Sequence, residues 1–155
     1  MLEFILFLNA HEEKIVELIQ KAGYDLEENT PLCLLGDEFF GFLQKTKRKV
    51  VICTENAKKY GGYKFSKPQG TDESLITGRM LRRAIRHEAI HVAQECNNGE
   101  VLNFAKENNI KMSPYKLNAF KGSVELVGQE EKEYEAYSLE DRPRYVISLL
   151  QKYCF

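Results

Sequence analysis

Two histidines and a glutamate lie together in the short segment His87-Glu88-Ala89-Ile90-His91, which has the pattern HExxH. In a helix, residues four apart lie on one face, a single turn from each other. His87 and His91 can therefore bind one Zn²⁺ ion through their imidazole nitrogens. Glu88 projects beside them, where its carboxylate can accept a proton from a water on the metal. The segment predicts two metal ligands and a general base.

The residues around the motif favour the helix that this geometry requires. Leu81, Ile85, Ala89 and Val92 recur at helical spacing. We expect a helix from about residue 73 to residue 96, ended by Asn97-Asn98-Gly99. The alternative interpretation makes His87 and His91 ordinary helix histidines and Glu88 a solvated charge.

A zinc site of this kind needs a third protein ligand. The position six residues after His91 holds Asn97, which excludes the metzincin arrangement with a third histidine there. His11, the remaining histidine, lies far upstream. The acid-rich segment at residues 130–140 offers carboxylates instead. Helical spacing places Glu133 on one stripe with the small residue Ala136. The stripe comprises Leu126, Gln129, Glu133, Ala136 and Glu140. Glu135 falls on a face expected to be more solvated, and Glu130 and Glu140 are further alternatives.

A resemblance to a known family chooses among these carboxylates. The segment Glu133-Tyr134-Glu135-Ala136 has the form ExxA. With HExxH it resembles the gluzincins, zincin metallopeptidases whose third ligand is a glutamate, and among them the prenyl-protease-like and phage-repressor-cleaving groups. The resemblance implies that Glu133 is the third ligand, that the metal is zinc and that the substrate is a protein or peptide. Tyr137 departs from the pattern, because those groups commonly carry Asp or Asn there as a partner for a ligand histidine.

The order of the elements predicts an α+β fold. With 155 residues the chain has the size of one domain, and we expect residues 1–155 to form a single zincin-like domain. It would comprise an N-terminal antiparallel sheet, the HExxH helix and a second, ligand-bearing helix. The patterns predict a buried strand at residues 1–10, a helix at 11–22, two antiparallel strands at 32–43 and 49–54, a long helix at 123–140 and a last helix from Pro143.

The cellular compartment is predicted from the N-terminus and the cysteines. The apolar run at residues 1–10 is too short to span a bilayer and lacks the basic segment of an export signal. Without an export signal, we expect Cys33, Cys53, Cys96 and Cys154 to be free thiols in a reducing compartment. The four show no CxxC pairing, which argues against a cysteine-ligated zinc site. These patterns predict a cytoplasmic protein with no membrane partner.

Charge gives little reason to expect a nucleic-acid partner. The formal net charge is −1, which provides no overall attraction to phosphates. A basic face on the residue 73–96 helix is the exception, formed by Arg79, Arg82, Arg83 and Arg86. We expect this face to pair with the acid-rich helix. A regulatory or nucleic-acid-binding module is the alternative, as is a zinc protein of zincin fold that is not a peptidase.

A peptidase also needs a donor for the oxyanion and a surface for its substrate. Candidate donors lie just beyond Glu133, at Tyr137, Arg142, Arg144 and Tyr145. An extended substrate can pair with a sheet edge. The segments at residues 49–54 and 60–65 are the candidate edges.

Overall fold

Short strands and longer helices make up the molecule. The computed structural model describes residues 2–61 and 72–155, and this part of the chain is α+β, as predicted. Its strands are β1 (Asp25–Glu28), β2 (Gly41–Gln44) and β3 (Lys49–Ile52). Its α-helices are α1 (Ala10–Lys21), α2 (Thr54–Tyr60), α3 (Asp72–Cys96), α4 (Phe104–Glu107), α5 (Leu117–Val127), α6 (Glu130–Leu139) and α7 (Pro143–Cys154). Short 3₁₀ turns occupy Glu3–Phe7, Pro31–Leu35 and Pro114–Lys116.

The sheet is mixed, with strand order β1-β3-β2. β2 pairs with β3 in antiparallel register, Gly41 opposite Ile52, and this confirms the predicted hairpin. β1 was not predicted, and it pairs with β3 in parallel, Asp25 beside Lys49. The expectation of a purely antiparallel sheet is therefore wrong. Because β3 lies in the centre, β2 presents an open edge in the described part of the chain.

Helix α3 is the element around which the others pack. It contacts α1, α2, α6 and α7 as well as strands β2 and β3. In the middle of the helix the apolar residues are fully buried, namely Leu81, Ile85, Ala89, Ile90, Val92 and Ala93. Nearer its start, Leu75 of the same periodic pattern is 65 % exposed. The HExxH motif therefore lies on a helix that is fixed from several sides.

The N-terminal run differs from its prediction. Glu3–Phe7 forms a 3₁₀ turn and not a strand. The carboxylate of Glu28 accepts hydrogen bonds from the backbone N–H groups of Glu3 and Phe4, which satisfies donors that a strand would have given to a neighbour. Phe4 is buried, but Leu6 is largely exposed. No described helix is long and apolar enough to cross a membrane.

The long helix predicted at residues 123–140 is two helices. Helix α5 ends at Val127 and α6 begins at Glu130. Between them Gly128 and Gln129 both have positive φ, 71° and 57°, a conformation that ends a helix. The break turns α6 so that it packs against α3.

All four cysteines are paired, so the prediction of free thiols is wrong. Cys33 bonds to Cys53 and Cys96 to Cys154, with Cα–Cα distances of 5.5 and 5.1 Å. The partners lie 20 and 58 residues apart, and such spacings carry no local signal of pairing. Disulfides persist in oxidising compartments, so the argument from thiols to the cytoplasm loses its basis.

We expect the Cys96–Cys154 disulfide to stabilise the fold strongly, because it joins the ends of α3 and α7 across 58 residues. Closing a loop of that length in the unfolded chain is worth about 4 kcal/mol. Denaturant unfolding of Cys96→Ser/Cys154→Ser should show a loss of that order. Cys33→Ser/Cys53→Ser, whose loop is shorter, is the matched comparison and should lose less. An unchanged midpoint for the first variant would contradict the assignment.

Candidate metal centre

Three side chains from α3 and α6 converge on one point. The Nε2 atom of His87 lies 3.2 Å from Oε2 of Glu133, and Nε2 of His91 lies 2.9 Å from Oε1 of the same carboxylate. Their potential ligand atoms all lie within 4.8 Å of one another. One histidine pair and one carboxylate make a group that can hold a metal ion. Both predicted histidines and Glu133 belong to it.

A second carboxylate fixes the orientation of His87. Nδ1 of His87 lies 2.9 Å from Oε2 of Glu140. The Glu140 carboxylate accepts a hydrogen bond from Nδ1–H of His87, so Nε2 is the nitrogen whose lone pair a metal can use when the ring gives up its second proton. Glu140 lies two turns beyond Glu133 on the predicted stripe, and it supplies the partner that Tyr137 cannot. Sequence reasoning weighed Glu140 as a ligand and missed this role.

The side chain of Gln94 orients His91 in the same way. Its Oε1 lies 2.8 Å from Nδ1 of His91, while its Nε2 donates to Oε1 of Glu135 and to the carbonyl of Lys132. The amide oxygen must therefore accept from His91, and Nε2 of that ring again keeps its lone pair. Nε2 of His91 is buried and makes no hydrogen bond of acceptable geometry, despite its closeness to Glu133. A metal ion would satisfy this atom. In the sequence, the only sign of this role for Gln94 is its position three residues after His91, which places the two side chains on the same face of the helix.

The electrostatics of the site favour positive charge. Burial lowers the pKa of His87, but hydrogen bonds with Glu133 and Glu140 and the negative charges of Glu133 and Glu88 raise that pKa well above its usual value. For the Glu133 carboxyl, burial acts in the opposite direction and raises the pKa, but the two imidazoles outweigh burial and hold that pKa far below its ordinary range. Glu133 is thus an anion that is only 6 % exposed. A group that favours protonated imidazoles in this way also favours a cation bound in place of the protons.

Glu88 lies beside this group but is not part of it. It is 4 % exposed, and burial raises the pKa of its carboxyl. A raised pKa brings a carboxylate closer to the value that a general base needs near neutral pH. The Glu88 side chain passes over Gly41 of β2 and lines the same cleft as His87 and His91. This position fits the role predicted for Glu88.

The metal group opens into a cleft of about 390 Å³. Strand β2 borders it through Gly41, Phe42 and Leu43, and aromatic side chains add an apolar wall, namely Phe39, Phe40 and Tyr60. Tyr137 also lines the cleft, with its ring centre 4.5 Å from that of His87. Burial raises the pKa of the Tyr137 hydroxyl, which therefore stays protonated and can donate. It donates to the carbonyl of Ala119 at 3.3 Å.

The other predicted oxyanion donors do not reach the cleft. Arg142, Arg144 and Tyr145 line a separate cavity with His11, because α7 turns away from α6 after Pro143. The predicted substrate edge is also corrected: β3, at residues 49–52, is the central strand, and the open edge belongs to β2. Residues 62–65 of the second candidate edge lie outside the described residues.

Glu135 is buried, against the expectation of a solvated face. Its Oε1 accepts hydrogen bonds from the N–H of Leu102 and from Gln94, and its Oε2 accepts one from the N–H of Asn103. The carboxylate thereby fixes the chain between α3 and α4. Glu130 is exposed at the start of α6. Glu133 is the acidic member of the metal group.

The basic face of α3 is used mainly inside the molecule. Arg83 lies 3.1 Å from Asp141, and Arg86 contacts Glu12 and the carbonyl of Glu140. Arg82 donates to the carbonyl of Phe7. The expected pairing with the acid-rich segment is therefore confirmed for Arg83 and Arg86.

A comparison with known families now places the chain. The model of DUF8637, a domain of unknown function, matches residues 4–155. The chain belongs to this family. No curated protein and no solved structure matches it. The DUF8637 match spans all residues of the metal group and of the cleft.

We expect Glu133→Ala to abolish tight metal binding and Glu135→Ala to affect mainly the fold. Removal of a ligand should weaken binding by more than the roughly 10–100-fold typical of an outer partner. Loss of Glu135 leaves buried N–H groups at Leu102 and Asn103 unpaired, which lowers stability. Competition with a chromophoric chelator measures the affinity, and thermal unfolding measures the stability. Equal metal retention by the two variants would show that the wrong carboxylate was chosen.

Glu140→Gln should weaken metal binding without removing it. The amide cannot stabilise the Nδ1–H of His87 as the carboxylate does, and loss of such a partner costs roughly 10–100-fold in affinity. Asp141→Asn is the control. Like Glu140, Asp141 contacts Lys116 and Arg83, but it forms no hydrogen bond with either histidine. The same chelator competition measures the metal affinity of both variants. Identical affinities in the two variants would remove Glu140 from the site.

Proposed function

We propose that this protein is a zinc-dependent metallopeptidase of zincin type. The observation that carries the proposal is the convergence of two imidazole Nε2 lone pairs and the Glu133 carboxylate beside a buried, non-ligating Glu88. Two histidines and one carboxylate are a known ligand set for catalytic zinc, which leaves a position open for water. A structural zinc site is normally closed by four protein ligands.

The residues divide the chemistry between them. Zinc, if bound by His87, His91 and Glu133, would act as a Lewis acid that lowers the pKa of a water molecule to about 7. Glu88 would take up a proton from the attacking water on its carboxylate and release it to the nitrogen of the leaving amine. Its burial at the cleft keeps bulk water from competing for the carboxylate. Tyr137 is the one predicted oxyanion donor that lies in the cleft, and it can serve there once its hydrogen bond to Ala119 is exchanged.

The cleft suits an extended peptide. The open edge of β2 offers backbone N–H and C=O groups along the border of the cleft, where a peptide can add as a further strand. Phe39, Phe40 and Tyr60 provide an apolar surface for its side chains. A protein or peptide is therefore the proposed substrate class.

We expect the purified protein to contain about one zinc per chain, and Glu88→Gln to keep that zinc but lose hydrolysis. The amide is nearly isosteric but cannot accept the proton, and general acid–base catalysis is worth about 10²–10⁴-fold. Elemental analysis gives the zinc content. A screen of unfolded proteins and peptide libraries gives the substrate, on which the rates are then compared.

The matched control is Glu107→Gln, at an exposed position of α4 away from the cleft, which should behave as wild type. Equal rates for wild type and Glu88→Gln would contradict the role of Glu88. A zinc-loaded wild type that cleaves nothing in the screen would favour the alternative of a zinc protein that is not a peptidase. Absence of tightly held metal, in protein never exposed to chelator, would contradict the whole proposal.

A further inference from the structure

Gly41 is the residue of β2 over which the Glu88 side chain passes. A Cβ atom built at position 41 would lie 3.1 Å from Cγ of Glu88, 3.2 Å from its Oε2 and 3.4 Å from the carbonyl oxygen of Val51. Gly41 is not among the glycines with positive φ, so its backbone conformation is open to any residue. What position 41 lacks is room for a side chain beside Glu88.

Of the two neighbours of Gly41, the backbone carbonyl of Val51 is held in place, and the Glu88 side chain is the one that can move. The carbonyl of Val51 belongs to the central strand, held by pairing with both β1 and β2. Glu88 lies on α3 between His87 and His91, whose rings are tied to Glu140 and Gln94. Because the α3 backbone is held in this way, an added methyl group at position 41 must displace the Glu88 side chain itself.

Glu88 differs from the two histidines in what lies against its side chain. The structure gives His87 a hydrogen-bond partner in Glu140, and His91 one in Gln94. The Glu88 side chain lies against the bare backbone of β2 at Gly41, so close that a Cβ atom there would make it shift by a few tenths of an ångström. The contact with Gly41 thus limits where the Glu88 carboxylate can lie.

We propose that Gly41 is a positioning residue for the general base: its lack of a side chain sets the place of the Glu88 carboxylate against the metal group. This inference rests on the proposed peptidase function for its catalytic consequence, but its steric part does not. Any larger residue at position 41 moves Glu88 while leaving the three ligands in place. A substitution in β2, which contributes no metal ligand, should therefore impair proton transfer and leave metal binding unchanged.

The first test is Gly41→Ala in the zinc-loaded protein. Zinc content should remain at the wild-type level and kcat should fall measurably, by less than the roughly 10²-fold that misplacement by about 1 Å can cost, because Glu88 has to shift by only a few tenths of an ångström. KM should change far less, since the new methyl group faces Glu88 and not the open edge of β2. Gly122→Ala is the matched control: no atom lies within 4 Å of a Cβ there, and its kinetics should equal those of wild type.

The second test needs no activity. Unfolding midpoints are compared for Gly41→Ala, Glu88→Ala and the double variant. If the methyl group at position 41 meets Glu88, then Gly41→Ala lowers the midpoint in the wild-type background, and at least half of that loss disappears once Glu88 is shortened to alanine. Such non-additivity is the signature of direct contact.

The outcomes separate the two proposals. Wild-type kcat in Gly41→Ala, loss confined to KM, or loss of zinc together with activity would each overturn the positioning role. Additive midpoint shifts would overturn it as well. If wild type cleaves no substrate, the peptidase proposal fails, and the midpoint comparison alone decides whether Gly41 sets the place of Glu88.

Discussion

The buried carboxylate of Glu133 constrains the packing of α6 on α3. An ionised carboxylate withdrawn from water is costly unless charges or hydrogen bonds compensate it, and here the compensation comes from His87 and His91 of the opposite helix. The two helices can therefore pack closely only in the register that brings these three groups together. Ala136, fully buried one turn further on, leaves the space for this approach. A metal ion in the group would strengthen the same contact, so that folding and metal binding become linked.

Helix α6 and the residue that follows it carry three buried carboxylates, and each has a different partner. Glu133 faces the imidazoles, Glu140 accepts from His87 and lies 2.7 Å from Lys116, and Glu135 caps the backbone before α4. Periodicity alone could place Glu133 and Glu140 on one stripe. It could not show that Glu135 is buried too, because that depends on the segment at residues 97–103, which folds over the other side of α6. Helical periodicity predicts one buried face and one exposed face. It fails for α6, because two of its faces are covered.

The predictions that succeeded rest on local patterns, and those that failed rest on contacts between distant residues. The HExxH helix, α1 and the β2–β3 hairpin follow from spacing within short segments. The parallel pairing of β1 with β3, the turn at Glu3–Phe7 held by Glu28, and both disulfides join residues 20 or more apart. The break at Gly128-Gln129 was visible only as a glycine inside an acidic helical pattern. The three residues of the metal group were predictable from motifs, whereas Gln94 and Glu140, which contact the two histidines, depended on how the helices pack.

The HExxH motif alone does not determine the geometry of the site, because residues outside the motif orient its side chains. His87 and His91 are placed by the helix, but their usable tautomers are set by an amide on α3 and a carboxylate at the end of α6. Glu88 is placed by the helix as well, yet its direction depends on strand β2, which the motif does not mention. A chain could keep HExxH and Glu133 and still shift the Glu88 carboxylate through one added methyl group in that strand. The geometry of the site is thus a property of the helix and the sheet together, and Gly41 is one place where the two meet.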